Sequence, residues 1–365
     1  MLPTTSPVVS SLATNIPIEI FECELIFQDP GRMPAWPGPM VRGTMLRPLR
    51  DQLCLLKTRA GDDDSSEKIP DYCRGCHLNA TCEYGRVFEP DRLIIDGRVR
   101  MGCRDGVRGV TIGAAGLNLR DRRVQAGDRL AVRFLFVGPA AIKLKMTILE
   151  MLRDVSQNAT LGPDRIRFRV DGDTIRRDSF DLFPDKFQVQ SSPGDDRVSI
   201  LLRLHSPLCL KSRPEKSSQD GGRSPSRDFT RRRRFGGDAE SIVTVPRLIR
   251  ESVRIVRRVF DEIQPDLVWH DTAAFLDECL TLAERSEIDL SRLRATQQTR
   301  GSARKNSKWE LTGWVGEVTL HHVPLIAVPW LIWAGILGVG DSRNCGAGLW
   351  TITRQDKCAR AGLVD

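Results

Sequence analysis

GILGVGDSRNCGAGLW, residues 335–350, is the stretch from which the rest of the chain is read. Five glycines (Gly335, Gly338, Gly340, Gly346 and Gly348) punctuate these sixteen residues. An apolar run from Val323 leads into it, and the β-like LWTIT leaves it from Leu349. The order reads helix, glycine-rich turn, strand. Glycine admits positive φ and close backbone approach, and successive N–H groups in such a turn can form an anion nest. Arg343 and Asn344 add side chains suited to phosphate and base edges. Phosphate-binding loops of nucleotide enzymes run strand, loop, helix. The reversed order therefore excludes both a P-loop and a dinucleotide fingerprint. A tight turn with no ligand stands beside the anion-binding reading.

Outward from the turn, two series of elements with similar order emerge. IEIFECELIF (Ile18 to Phe27) alternates as a half-buried strand. Met45, Leu49, Leu53 and Leu56 recur at helical spacing, with Arg42, Arg47 and Arg50 on the other face. RLAVRFLFVG is a second strand, AIKLKMTILEMLRDV a helix, and RIRFRV (Arg165 to Val170) a strand with one basic face. VSILLRLHSPL restarts the pattern. VPRLIRESVRIVRRVFDEI is a firm helix with Pro246 in its first turn. A second helix follows over about 272–283, and then a strand pair or one long strand in WELTGWVGEVTLHH. The expected fold class is α+β: two tandem ferredoxin-like (RRM-like) domains at 17–190 and 191–365. A disordered leader is expected over residues 1–16, a cysteine-rich insertion over about 54–90 and a basic loop over 211–240.

The 55 Lys and Arg against 47 Asp and Glu give a formal net charge of +8, compatible with a polyanionic partner. No apolar run approaches the roughly 18 residues of a membrane span, and the first residues lack a basic n-region. A cytoplasmic protein with no membrane partner is expected. In such a chain cysteines point to metal or free thiols rather than disulfides. Cys54, Cys73, Cys76 and Cys82 follow C-x18-C-x2-C-x5-C, a set that suits a structural zinc stapling a polar insertion. An iron–sulfur cluster or free thiols are the alternatives.

Basic clusters lie at Arg231, Arg232, Arg233 and Arg234, at Arg120, Arg122 and Arg123, and at Arg300, Arg304, Lys305 and Lys308. Phe229 and Phe235 flank the first and could stack on bases. Solvated loops are the plain reading of each cluster, a phosphate backbone the functional one. Five histidines (His77, His205, His270, His321, His322) and two tyrosines leave few acid–base candidates, and no HExxH, Walker A or G-x-S-x-G motif occurs.

Taken together, WPGPMVRGTMLRPLRDQLC, Cys73–Cys76 with Cys82 and Phe88-Glu89-Pro90, QAGDRLAVRFLFVGPA, LGPDRIRFRV, LLRLHSPLCLK, RGSARKNSKWELTGWVGEV and the glycine-rich turn resemble the CRISPR-associated endoribonucleases that process precursor crRNA. These belong to the RAMP superfamily, and the resemblance is to a subset with a four-cysteine insertion. It implies binding of a CRISPR repeat RNA and metal-independent cleavage by the adjacent 2′-OH, giving 2′,3′-cyclic phosphate and 5′-OH ends. It implies no catalytic metal, leaving the structural zinc as the reading of the cysteine spacing. It also implies crRNA, and other CRISPR effector subunits, as partners. Many members place a histidine near the first helix, whereas residues 32–56 here hold neither histidine nor tyrosine. His270, His205 and Lys305 are therefore carried as candidate catalysts without a motif behind them. Arg42, Arg47, Arg231–Arg234, Arg300, Arg304, Gly338, Gly340, Arg343, Asn344, Gly346 and Gly348 are the candidate RNA contacts. A non-catalytic RAMP subunit that holds the crRNA end is the alternative.

Overall fold

The structure, a computed structural model, describes residues 17–55, 73, 76–79, 81–90, 94–95, 98–99, 107–115, 122–171, 176–177, 196–210, 239–263, 272–302 and 307–354. The candidates His270, Arg231–Arg234, Arg304 and Lys305 lie outside these residues.

In chain order, β1 (Ile18–Phe27) and β2 (Gly31–Met33) precede helices α1 (Gly38–Leu53) and α2 (Glu83–Phe88). The short strands β3 (Ile94–Ile95) and β4 (Arg98–Val99) lead to β5 (Val110–Ala115), β6 (Arg122–Val124) and β7 (Arg129–Val137). Helices α3 (Pro139–Lys143) and α4 (Lys145–Asn158) follow, then β8 (Thr160–Leu161), β9 (Ile166–Val170) and β10 (Arg176–Arg177). The second series begins with β11 (Arg197–Leu204), α5 (Ala239–Ile242), α6 (Val245–Ile263) and α7 (Thr272–Ala283). It continues through β12 (Glu287–Asp289), β13 (Leu293–Ser302) and β14 (Ser307–Pro324) to α8 (Val328–Leu337) and β15 (Trp350–Arg354).

The result is a mixed α+β architecture whose strand pairings are antiparallel. The first large sheet runs β5-β7-β1-β9-β8, the second β12-β14-β11-β15 with β13 on β14. In each, the opening strand sits between the third and the last, reached through helices.

Alternation explains both sheets. In β1, Phe21, Cys23, Leu25 and Phe27 enter a core with Met45 and Leu49 of α1 and Ile148 and Leu152 of α4. Glu22 and Glu24 occupy the opposite face, where Arg133 and Arg129 of β7 pair with them. In β11, Ile200, Leu202 and Leu204 join Val253, Val256 and Phe260 of α6 and Trp333 of α8 in a second core. That second core also takes in Ile20, Leu135 and Val137, which project from the first sheet. The two sheets thus share apolar packing where they meet.

One detail differs from the expectation, and one open alternative is resolved. The apolar run from Val323 is not helical from its start: β14 continues to Pro324, a 3-10 turn covers Leu325–Ala327, and α8 begins at Val328 with a proline in its first turn. Proline without an N–H fits that position and not a helix interior. WELTGWVGEVTLHH lies in one long strand, whose partner changes from β13 to β11 and β12 around Gly316. Gly316 has φ 119°, and a Cβ there would fall 2.2 Å from the Arg292 carbonyl oxygen.

Candidate nucleic-acid interface

The glycine-rich turn sits in the seam between the two halves. Cys345 to Trp350 are buried, and Asp341 to Asn344 are half-buried. Its far side touches β5: a Cβ on Gly346 would lie 2.4 Å from the Gly113 Cα. Its near side touches the start of α1, where a Cβ on Gly38 would lie 2.2 Å from the Cys345 carbonyl oxygen. Trp36, Cys209, Cys345 and Ala347 form a small apolar cluster at the same point.

This burial corrects one expectation. The turn's amides are not an open nest. Gly348 donates its N–H to the Pro207 carbonyl at 2.9 Å, Gly346 to Arg343 at 2.8 Å, Asp341 to Cys209 at 2.8 Å and Gly338 to Ala334 at 2.8 Å. Val339 donates in turn to Gly348 at 3.1 Å. Gly338, Gly340, Gly346 and Gly348 all have positive φ. Their role in the structure is to let main chain meet main chain. Gly348 is the tightest case, with a Cβ position 1.9 Å from the Val339 carbonyl oxygen.

A second correction concerns Arg42. It is 6% exposed, so it is not a surface contact. With the Asn344 amide oriented to satisfy its neighbours, the side-chain oxygen accepts from Arg108 Nη1 at 3.0 Å and from Arg42 Nε at 3.3 Å. Burial, with the nearby Arg108 charge adding, pushes the Arg42 guanidinium down to about 10. Its Nη2 has no hydrogen-bond partner among the described residues. A buried cation held by an amide oxygen is a positional device: it ties α1, the entry to β5 and the turn together. Arg108 also donates from Nε to the Phe88 carbonyl at 2.9 Å, linking α2 to the same point. Arg343 is half-buried, with Nη1 3.5 Å from the Leu337 carbonyl oxygen. Arg47 is exposed on α1. Arg300 lies on β13, paired in register with Trp309.

His205 stands one residue past β11, beside the turn. Its N–H donates to the Leu349 carbonyl at 2.9 Å, and Nε2 lies 3.0 Å from Thr351 Oγ1. Arg133 and Thr351 line a recess there with Ile20, Thr111, Gly335 and Trp350. Burial first, then the charges of Arg133 and Arg203, lower the His205 pKa from its ordinary value, with Glu22 opposing. The shift favours the neutral ring. Proximity of His205 to Arg133 was not legible from sequence, since the two lie on different sheets.

Two of the candidate zinc ligands stand at helix ends: Cys54 caps α1, and Cys82 precedes α2. Cys82 Sγ lies 3.8 Å from the Leu53 carbonyl oxygen, and Cys76 donates its N–H to the Cys73 carbonyl at 3.1 Å. Burial and the neighbouring Glu89 push the Cys73 thiol up to about 12, with Cys54 and Cys82 contributing in the same direction. Among the described residues no three His, Cys, Asp or Glu side chains are set at metal-holding geometry. No helix among them is long and apolar enough to cross a membrane.

A family model described as AF_1859_N, N-terminal domain, matches residues 16–179. No curated protein matches the chain. Among solved structures, a chain of the partial Cas6-RT-Cas1–Cas2 complex aligns over 96% of this chain and 48% of its own length, at 14% identity and a TM-score of 0.50. This chain therefore spans about half of that neighbour. A chain of the Cas6-RT-Cas1–Cas2 complex gives the same score and identity over 30% of its length. A Cas6 product complex aligns over 92% of this chain and 99% of its own, at 15% identity and a TM-score of 0.46. The structural neighbours are Cas6 and RAMP proteins, and at such identities the likeness is one of fold.

The geometry of the seam makes two effects measurable. Gly348→Ala places a Cβ against the Val339 carbonyl at a residue with φ 70°. It should cost more than about 1 kcal/mol, read as a lowered midpoint in urea unfolding. For His205, a depressed pKa means that the unfolded chain binds the proton more readily. Its stabilising share is present above the ordinary histidine pKa and is lost as pH falls through about 6.5 toward the folded value. His205→Gln should flatten the decline in stability between about pH 7.5 and pH 5 relative to the native chain. Identical pH profiles would count against the assignment.

Proposed function

We propose that this chain binds CRISPR repeat RNA and cleaves precursor crRNA by metal-independent attack of a ribose 2′-OH, leaving 2′,3′-cyclic phosphate and 5′-OH ends. The observation that carries the reading is the junction of Arg42 and Arg108 with Asn344. It joins two of the stretches that carry the family resemblance, one on α1 and one near the C-terminus, into a single seam. The order of elements supports two tandem ferredoxin-like domains, with each sheet following a β-α-β-β-α-β path. The fold likeness to the Cas6-RT-Cas1–Cas2 complex, whose name includes Cas6, supports the same class.

In this reading RNA lies along the exposed side of α1 and past the glycine-rich turn. Arg47, Arg300 and Arg343 contact its phosphates, together with Arg231–Arg234 and Arg304. The reaction needs a base for the 2′-OH, an acid for the departing 5′-oxygen, and cations for the phosphorane. His205 is the described candidate for the base. Its lowered pKa supplies the neutral form, and Arg133 and Arg203 supply adjacent positive charge. The 2′-oxygen attacks the adjacent phosphorus as its proton passes to the base; the P–O5′ bond breaks, and the 5′-oxygen takes up a proton. His270 and Lys305 are the alternatives for acid or base. A second reading, a non-catalytic RAMP subunit holding the crRNA end, is favoured by the lack of histidine and tyrosine in residues 32–56. We place the protein in the cytoplasm, with crRNA and other CRISPR subunits as partners.

Purified protein incubated with a labelled repeat RNA, with and without EDTA, separates the readings. Cleavage that survives EDTA and leaves a cyclic phosphate is the expected result, and His205→Ala should slow it by about 100-fold or more with binding retained. Tight binding to intact RNA would select the subunit reading, and no binding would remove both. The cysteine cluster is assigned a structural zinc on Cys54, Cys73, Cys76 and Cys82: a cation would offset the cost of ionising buried thiols. Elemental analysis should find one zinc per chain. A metal-free chain that unfolds at an unchanged midpoint after chelator treatment would refute the assignment.

A further inference from the structure

Strands β2 and β6 form a ribbon separate from both large sheets, and its register sets Arg32 directly opposite Arg123. Like charges facing across an antiparallel pair repel. Both side chains are exposed, Arg32 to 77%. The ribbon rests on the β8–β9 turn: a Cβ on Gly31 would fall 2.5 Å from Ile166, and Arg32 donates its N–H to Asp164 Oδ2 at 2.8 Å. The same turn presents Arg165, exposed and at φ 50°, in the left-handed region that non-glycine residues seldom occupy.

The charge balance at this edge is uneven. Asp164, 3.7 Å from Arg32 Nε, is the carboxylate that meets the cluster among the described residues. On the same sheet the exposed Arg167 and Arg129 are matched by carboxylates, whereas the exposed Arg169 has none among the described residues. Arg167 donates from Nε and Nη2 to the two carboxylate oxygens of Asp29, and Arg129 lies between Glu24 and Asp171. The edge is also continuous with α1. A Cβ on Gly162 would lie 3.0 Å from Met40 Sδ, and Thr44 Oγ1 donates to the Thr160 carbonyl at 3.5 Å. The exposed Arg47 lies on that helix.

We propose that the β2–β6 ribbon and the Arg165 turn form a docking surface for the RNA phosphodiester backbone, with Arg123 and Arg165 each engaging a phosphate and Arg32 strengthening the local positive field. A polyanion between the guanidiniums relieves the repulsion that the register builds in. The proposal rests on the reading that the chain binds RNA and assigns to it a contact region apart from the seam.

The test measures binding of the full-length protein to a labelled single-stranded RNA over a series of salt concentrations. Arg123→Gln with Arg165→Asn removes both charges, asparagine being tolerant of the left-handed conformation. The slope of log Kd against log salt should fall by about 1.4, near 0.7 for each phosphate that the variant no longer neutralises. Binding at about 0.1 M salt should weaken roughly 25-fold. Arg123→Lys with Arg165→Lys should restore both values, since a point charge suffices. If the neutralised double variant does not fold, Arg123→Gln alone should lower the slope by about 0.7. A folded neutral variant with native slope and affinity would overturn the ribbon surface and leave RNA binding standing. A native protein that binds no RNA would overturn both.

Discussion

The contact between the C-terminal glycine-rich turn and the N-terminal half is the constraint on which the rest depends. Two backbones pass almost in van der Waals contact at Gly113 and Gly346, and again at Gly38 and the Cys345 carbonyl. Close packing of this kind forfeits its attraction if either side retreats by a fraction of an ångström. Around it, the guanidiniums of Arg42 and Arg108 converge on one amide oxygen. A buried arginine without a hydrogen-bonded carboxylate is costly, so its presence identifies a point where position matters more than local stability. The apolar contacts of Ile20, Leu135 and Val137 with the second core extend the same junction and fix the spacing of the sheets.

From that spacing comes the chemistry of the cleft. His205 leaves the end of β11 just where β7 presents Arg133 and β15 presents Thr351. None of these residues is unusual alone. Their assembly follows from the turn: the Leu349 carbonyl that accepts the His205 N–H is the last step of the turn before β15. Displacing the turn would shift the histidine's main chain as well as its ring partner. Structure and proposed reactivity therefore share one set of contacts.

Much of the fold was legible because the alternation of β1 and the helical spacing of α6 are strong local signals. Phe21, Cys23, Leu25 and Phe27 occupy the face that parity predicts, and so do Val253, Val256 and Phe260. The role of the glycines was not legible. Glycine at positive φ serves equally to bare an amide to a ligand or to admit another backbone, and only tertiary neighbours distinguish the two. Arg42 misled for a related reason: helical periodicity placed it on a polar face, but that face is covered by a segment some three hundred residues later in the chain. The break from strand to helix at Val328 was hidden by an apolar run that suits both states until Pro329 is taken as a first-turn residue.

The distribution of arginine completes the argument. A net charge of +8 suggests a diffuse basic protein. The open sheet faces, however, are largely balanced: Glu22 meets Arg133, Glu24 and Asp171 meet Arg129, and Glu317 meets both Arg203 and Arg292. Exposed pairs of this kind add little stability, about 0–1 kcal/mol each, but they remove attraction for a polyanion from the surface they cover. Exposed arginines without a carboxylate partner among the described residues include Arg123 of the β2–β6 edge and Arg47 of α1. A phosphate backbone drawn to that edge would run along α1 toward the seam that holds His205. Uneven neutralisation, more than total charge, is what gives the proposed RNA path its direction.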